Sequence, residues 1–320
     1  MPHFTQKVEP NLSVLGLDIA KDTIALHDSV SSKNWTIANT PAALKRALQP
    51  FAGHDLVVCE ATGGYERHAL NTACKLGLPI HRVDPSKAKA FISSHGGNAK
   101  TDKADAIWLA RLGLERGTSL IRWSPPDPDR EALTSLVRHR QDLLKERTQA
   151  KNRKSAPNSA PVADMLAKQI NFLTTQIKEL DVRIEALRKA SGLEKVHNVL
   201  VEIPGIGPVV ANAMIALMPE LGQLARRQVA SLAGLAPHPR DSGSYNAKRH
   251  VKAGRKEIKS VLFMAALSAS RACPKLKPFY QRLIENGKPK MVALTAVARK
   301  LIVIANAKVR DAQIQTNQLT

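Results

Sequence analysis

Four carboxylates set in or beside apolar segments of an otherwise basic chain constrain its fold more than any other feature. Asp18 lies inside VLGLDIA (Val14 to Ala20), with apolar residues on both sides. Glu60 ends the run LVVCE (Leu56 to Glu60) and precedes the turn signal Ala-Thr-Gly-Gly. Asp102 and Asp105 stand three apart in the helical stretch KTDKADAIWLARL, so both project from one face. A carboxylate in an apolar strand is costly to bury unless a cation or a donor satisfies it. Each acid alone has a plain alternative: Asp18 as a turn residue, Glu60 as a strand-end surface charge, Asp102 as a helix cap. Together, in the order strand, strand, helix, they predict an oxygen-ligand site for Mg²⁺ or Mn²⁺. Two such cations clamp the attacking and leaving oxygens of a phosphodiester.

Charge supports a phosphate-bearing partner. The 320 residues carry 48 Lys/Arg against 27 Asp/Glu, a net +21. Residues 201–320 hold 19 Lys/Arg against 6 Asp/Glu, an excess of +13. A polyanion is the natural partner of such a surface, and nucleic acid is the commonest one. No basic amphipathic terminus argues for a membrane surface, and no apolar run is long enough to span one. The three cysteines (Cys59, Cys74, Cys273) lie far apart, outside any zinc spacing, and the reading is of reduced thiols. MPHFTQKVEP shows no signal-peptide pattern, which predicts a cytoplasmic, nucleoid-associated protein.

The length suits more than one domain. Residues 12–122 alternate strand-like and helix-like stretches, with a hairpin (Leu12 to Ala20, Thr23 to Asp28) before the first helix. That order predicts an α/β domain of RNase H-like type over residues 1–124, closed by Ser124-Pro-Pro-Asp-Pro. Residues 125–195 read as a helical hairpin. Leu166, Ile170, Leu173, Ile177, Leu180, Ile184 and Leu187 step by 4, 3, 4, 3, 4, 3, a heptad seam that predicts a coiled coil for oligomerisation or spacing. An ordinary amphipathic helix packing on its own domain is the alternative.

Residues 196–320 read as mainly helical. Pro204-Gly205-Ile206-Gly207 resembles the turn of a helix-hairpin-helix, whose amides hold a phosphate without reading sequence. A plain inter-helix turn fits the same letters. Gly, Pro and Ser then crowd a loop from Ser231 to Gly254. Lys248, Arg249, Lys252, Arg255, Lys256 and Lys259 follow Ser242 closely, cations suited to a phosphate held against its hydroxyl. From spacing alone, a Ser-Gly pair in a loop is most often just a turn.

Taken together these segments resemble the DEDD transposases of bacterial insertion sequences, the IS-one-ten family. The matching strings are GLDIAKD, EATGGYE, AKTDKADA, IPGIG, and AGLAPHPRDSGSYNAKRHVKAGR from Ala233 to Arg255. One departure is visible: the family usually carries arginine where this chain has Lys259. The resemblance implies a RuvC-like N-terminal domain, a coiled-coil stem and a C-terminal transposase domain. It also implies a metal site on Asp18, Glu60, Asp102 and Asp105 and a nucleophile at Ser242. Site-specific recombination of donor and target DNA, guided by a noncoding bridge RNA and run by a homo-oligomer (dimer or tetramer), is implied in the same way. The rival reading is a Holliday-junction resolvase-like nuclease that uses water. A non-catalytic basic scaffold is the third.

Overall fold

The computed structural model describes residues 12–96, 102–238, 241–242, 245–246, 250–251 and 254–318; for residues 102–103, 238, 241–242, 245–246 and 316–318 it describes the backbone alone. The chain forms two compact units, residues 1–126 and 127–320.

The first unit is built on a five-stranded sheet. Its elements are β1 (Val14–Ile19), β2 (Thr23–Asp28), β3 (Asn34–Ala38), α1 (Pro41–Leu48), β4 (Leu56–Glu60), α2 (Arg67–Lys75), β5 (Ile80–Val83), α3 (Pro85–Ser94) and α4 (Asp102–Arg116). Strand order is β3-β2-β1-β4-β5. β1 to β3 form an antiparallel meander, whereas β4 and β5 run parallel to β1 through helical crossovers. This is the expected RNase H-like, RuvC-like mixed sheet. β1 and β4 are unbroken apolar runs up to their acidic residues because both faces of the sheet are covered. Leu15, Leu17, Val57 and Cys59 pack on one side with residues of α1 and α2, while Val14, Leu56 and Val58 pack on the other against α3 and α4. β3 alternates half-buried and exposed residues, as an edge strand does. Thr40 caps α1, its hydroxyl accepting from the Ala43 amide at 3.3 Å, with Pro41 at the first helical position.

The second unit is mainly helical. It comprises α5 (Pro128–Lys154), α6 (Ala163–Ala190), α7 (Glu194–Val201), α8 (Pro208–Leu217), α9 (Arg226–Leu232), short strands β6 (Pro237–His238), β7 (Asp241–Ser242), β8 (Tyr245–Asn246) and β9 (His250–Val251), then α10 (Lys256–Ala272), α11 (Lys277–Glu285) and α12 (Lys290–Gln318). From Leu173 onward the heptad seam of α6 packs within this chain. Leu173, Ile177 and Leu180 pack on Leu143 of α5, and Arg140 forks onto Asp181 at 2.5 and 3.2 Å. At the base of the hairpin Leu133, Val137 and Ile184 join Leu200, Met214, Ile258, Leu262 and Leu301 in one core. The helical pair is thus continuous with the helices that follow it.

The Gly/Pro/Ser-rich stretch read as a loop contains two small antiparallel pairs. β6 pairs β9 (Pro237 with Val251, His238 with His250), and β7 pairs β8 (Asp241 with Asn246, Ser242 with Tyr245). Two-residue strands leave no alternation for a sequence pattern to show. At the neck of the excursion, Gly234 and Gly254 both hold positive φ (67° and 74°). A Cβ on Gly254 would lie 2.2 Å from the Gly234 nitrogen, so only glycine permits the two backbones to meet.

Candidate active site

Asp18, Glu60 and the first turn of α4 lie toward one end of the first unit's sheet. Leu17 of β1 lies beside Cys59 of β4 in parallel register, so the next residues along, Asp18 (one before the end of β1) and Glu60 (the last of β4), lie toward the same end of the sheet. Val14, Gly16 and Asp18 share one face of β1, by the period of two along a strand. On that face lies α4. A Cβ on Gly16 would fall 2.1 Å from the Ala106 carbonyl oxygen and 2.6 Å from the Ala110 nitrogen. Farther along the helix, a Cβ on Gly113 would meet Val14 at 2.5 Å and Val58 at 2.9 Å. The helix therefore runs antiparallel to β1, and its first turn lies at the end of the sheet where Asp18 and Glu60 sit. Asp102 is one turn before Ala106, and Asp105 is beside it.

Asp18, Glu60 and Asp105 are half-buried, while the Asp102 side chain lies outside the described residues. Among the described residues no three His, Cys, Asp or Glu side chains stand close enough to hold a metal by themselves. Carboxylates repel one another at short range, so drawing such a set together requires a cation between them. The donor set, all hard oxygen, fits Mg²⁺ or Mn²⁺.

Two further residues shape the rim, and the sequence reading passed over both. Glu66 is buried in the loop after Glu60. Its carboxylate accepts from the Gly64 amide at 2.8 Å and from the Thr62 amide and hydroxyl at 3.1 and 3.2 Å, and it faces Arg82 at 3.4 Å. Burial pushes this carboxyl up, but its own amide and those of Gly64 and Thr62 outweigh that and hold it below the usual range. Asn39 donates from its amide to the Ala20 carbonyl at 2.9 Å and the Tyr65 carbonyl at 3.1 Å, joining the loops after β1 and β4. The glycines could have been found: one inside a strand marks a close backbone approach. Nothing local marks Asn39.

In the second unit Ser242 ends β7, in register with Tyr245 of β8. Its side chain lies outside the described residues, as do Lys248, Arg249 and Lys252 entirely. Lys256 and Lys259 sit in the first turns of α10 and line a cleft of about 320 Å³ with Leu235, Phe263 and Met264. Arg255 is engaged otherwise than for a phosphate. Its guanidinium forks onto Glu220 at 2.6 and 2.8 Å and donates to the Leu217 carbonyl at 2.6 Å. Gly205, expected to contribute to a phosphate-binding turn, is pressed into α10. At φ 100°, a Cβ there would lie 2.5 Å from the Ala269 Cβ. Gly207, by contrast, caps α8 with open space around it.

Comparison with known proteins decides what this arrangement belongs to. Residues 15–156 match the DEDD transposase family model, and residues 197–281 match the model described as transposase, IS116/IS110/IS902 family. The chain belongs to this transposase family. The transposase is similar over 93% of its length to the pilin gene-inverting protein of Moraxella bovis, at 29% identity and 95% coverage of that protein. It is also similar to the transposase for insertion sequence element IS1328 of Yersinia enterocolitica, at 21% identity over 80% of this chain and 84% of the relative. Among solved structures, Thermus thermophilus RuvC in complex with a Holliday junction substrate aligns over 35% of the transposase and 100% of that chain, at 13% identity and a TM-score of 0.30. No described helix of the transposase is long and apolar enough to cross a membrane.

Proposed function

We propose that this transposase breaks and rejoins DNA through a phosphoserine intermediate at Ser242, with Mg²⁺ or Mn²⁺ held by Asp18, Glu60, Asp102 and Asp105. The observation that supports the reading is the parallel register of β1 and β4, which sets Leu17 beside Cys59 just before Asp18 and Glu60, with the first turn of α4 at the same end of the sheet. A divalent cation there would supply charge to polarise the scissile phosphate and ease ionisation of an attacking hydroxyl.

The chain's own groups do the rest. The Ser242 hydroxyl gives up its proton and its oxygen bonds to the scissile phosphorus. The phosphorus–oxygen bond to the leaving sugar breaks, and the sugar oxygen takes a proton. Attack on the serine phosphodiester by a sugar hydroxyl of another strand reverses these steps and restores the serine. Lys248, Arg249, Lys252, Lys256 and Lys259 offset the charge that develops. Arg255, already committed to Glu220, braces the base of the hairpin instead of meeting phosphate directly. The Gly207 end of α8 offers amides to a backbone phosphate. Donor and target DNA, a bridge RNA and a homo-oligomer complete the reading, on the resemblance of the motifs alone.

The test is a denaturing quench of end-labelled donor DNA with the full chain in Mg²⁺. A protein–DNA adduct that disappears in Ser242→Ala is expected. Cleavage with no adduct would put the water-using, resolvase-like reading ahead.

A further inference from the structure

The second unit holds a basic cleft that the reaction above does not use. It lies among α9, α11 and α12, has a volume of about 540 Å³, and is lined by Arg226, Arg227, Phe279, Arg299 and Lys300. That size is within the range of small-ligand clefts, about 300–1,000 Å³. Every charged residue lining it is a cation. Among the described residues no carboxylate pairs with any of the four, unlike Arg255, Arg140 and Arg188, which are all held in ion pairs. Such a concentration of unneutralised charge raises the local potential and costs stability through self-repulsion unless an anion relieves it.

Phe279 is the aromatic residue in the lining. The Lys300 ammonium lies 3.9 Å from the ring centroid, and the Arg282 guanidinium 5.7 Å from it. A cation over an aromatic face is attracted by the ring quadrupole. Lys300, otherwise a flexible exposed side chain, is thereby fixed beside Arg299 on α12, opposite Arg226 and Arg227 at the start of α9.

We propose that this cleft binds the phosphodiester backbone of a single nucleic-acid strand, with Arg226, Arg227, Arg299 and Lys300 as phosphate contacts and Phe279 as the residue that positions Lys300. A recess between helices admits one strand, which bends and presents its phosphates to two walls; a duplex offers a convex rod. Contacts made by charge alone carry no sequence preference and depend strongly on salt. The inference rests on the reading of the chain as a DNA-recombining enzyme only for its class of ligand, and binding is measured without metal, apart from the chemistry.

The experiment titrates the full chain, in EDTA, against fluorescein-labelled oligonucleotides of mixed sequence: single-stranded DNA, the same sequence as RNA, and the blunt DNA duplex. The double variant R299A/K300A should bind single strands on the order of tenfold more weakly, with the log–log salt slope reduced by about 0.7 per cation removed. Phe279→Ala should follow Lys300→Ala, whereas Phe279→Trp, which keeps an aromatic face for the ammonium, should bind as wild type. Charge reversal at exposed Arg226 and Arg227 gives a second variant that leaves the apolar core untouched. A larger loss for DNA or for RNA identifies which strand occupies the cleft. Unchanged single-strand binding in both cation variants, an equal loss for the duplex, or equal competition by polyglutamate would each overturn the proposal. A chain that loses strand binding in these variants yet never cleaves DNA in Mg²⁺ keeps the cleft and overturns the recombinase reading. The opposite pattern keeps the recombinase reading and overturns the cleft.

Discussion

Gly16 of β1 lies directly beneath Ala106 of α4, so close that a methyl group on Gly16 would fall 2.1 Å from the Ala106 carbonyl oxygen. The obstruction is helix backbone, which cannot swing aside as a side chain can. This contact brings the first turn of α4 to the end of β1, and with it Asp102 and Asp105 toward Asp18.

Gly16→Ala should therefore displace the helix. Overpacking of this kind costs about 1–3 kcal/mol, read as a lower urea midpoint, and strand cleavage should fall with it. Gly53→Ala, at a position with open space and no positive φ, should leave both unchanged. Equal behaviour of the two variants would show that α4 is not seated through Gly16.

Neutralising the acids separates binding from chemistry. Asp18→Asn, Glu60→Gln, Asp102→Asn and Asp105→Asn should each abolish cleavage and recombination in Mg²⁺ while keeping nucleic-acid affinity. Losing one carboxylate relieves repulsion, so metal-free thermal stability should stay level or rise. Wild-type recombination rates in any two of the four would remove the metal assignment.

Ser242 and Ser244 are two apart in sequence, and only one is expected to attack phosphorus. Ser242→Ala should bind nucleic acid yet form no adduct and exchange no strands. Ser244→Ala should retain both activities. A DNA-linked band that persists in Ser242→Ala moves the nucleophile elsewhere.

Asp28 sets an acid limit on the first unit. Burial raises its carboxyl, but donation from the Ser31 hydroxyl at 2.6 Å, His54 at 2.9 Å and the Val30 and Ser31 amides outweighs that and holds it far below the usual carboxylate range. A carboxyl depressed in the folded state binds fewer protons there than in the unfolded chain. Its stabilisation is complete above the unfolded value and is lost as pH falls below about 5. Asp28→Asn should lower stability at neutral pH and flatten its decline between pH 5 and 3 (both about) in chemical denaturation. An unchanged acid slope would assign that decline to other carboxyls.

The Arg255–Glu220 fork predicts a structural phenotype where a binding one was expected. Burial pushes Glu220 up, and hydrogen bonding from Arg255 reverses this and leaves it below its ordinary range. Arg255→Ala should lower thermal stability with little change in the salt slope of binding. Arg255→Lys should rescue it only in part, because an ammonium lacks the two-pronged geometry. A slope reduced by Arg255→Ala without loss of stability would return this residue to the phosphate surface.

The sequence by itself determined the elements and their order. Apolar runs around Asp18 and before Glu60 announced strands, and the heptad steps of α6 announced a helix with a packed seam. Each signal is local, carried by the period of side chains along one segment. Asp18 and Glu60 stood out as acids that apolar strands make expensive, and Asp102 and Asp105 as a pair three apart on one helix face; that the four share a metal is the proposal made above. What the seam packs against was decided only in three dimensions, because a heptad specifies a partner face and not whose it is. The partner of Arg255 was also decided there: its charge suggested phosphate, and in the fold its guanidinium pairs with Glu220, 35 residues away in sequence. Asn39 and the meeting of Gly234 with Gly254 left no periodic trace, since a single long-range contact has no pattern along the chain. Most of all, the approach of α4 to β1 depends on the absence of one side chain at Gly16. An absent atom creates no hydrophobic signal in sequence, yet it fixes how near two backbones can lie.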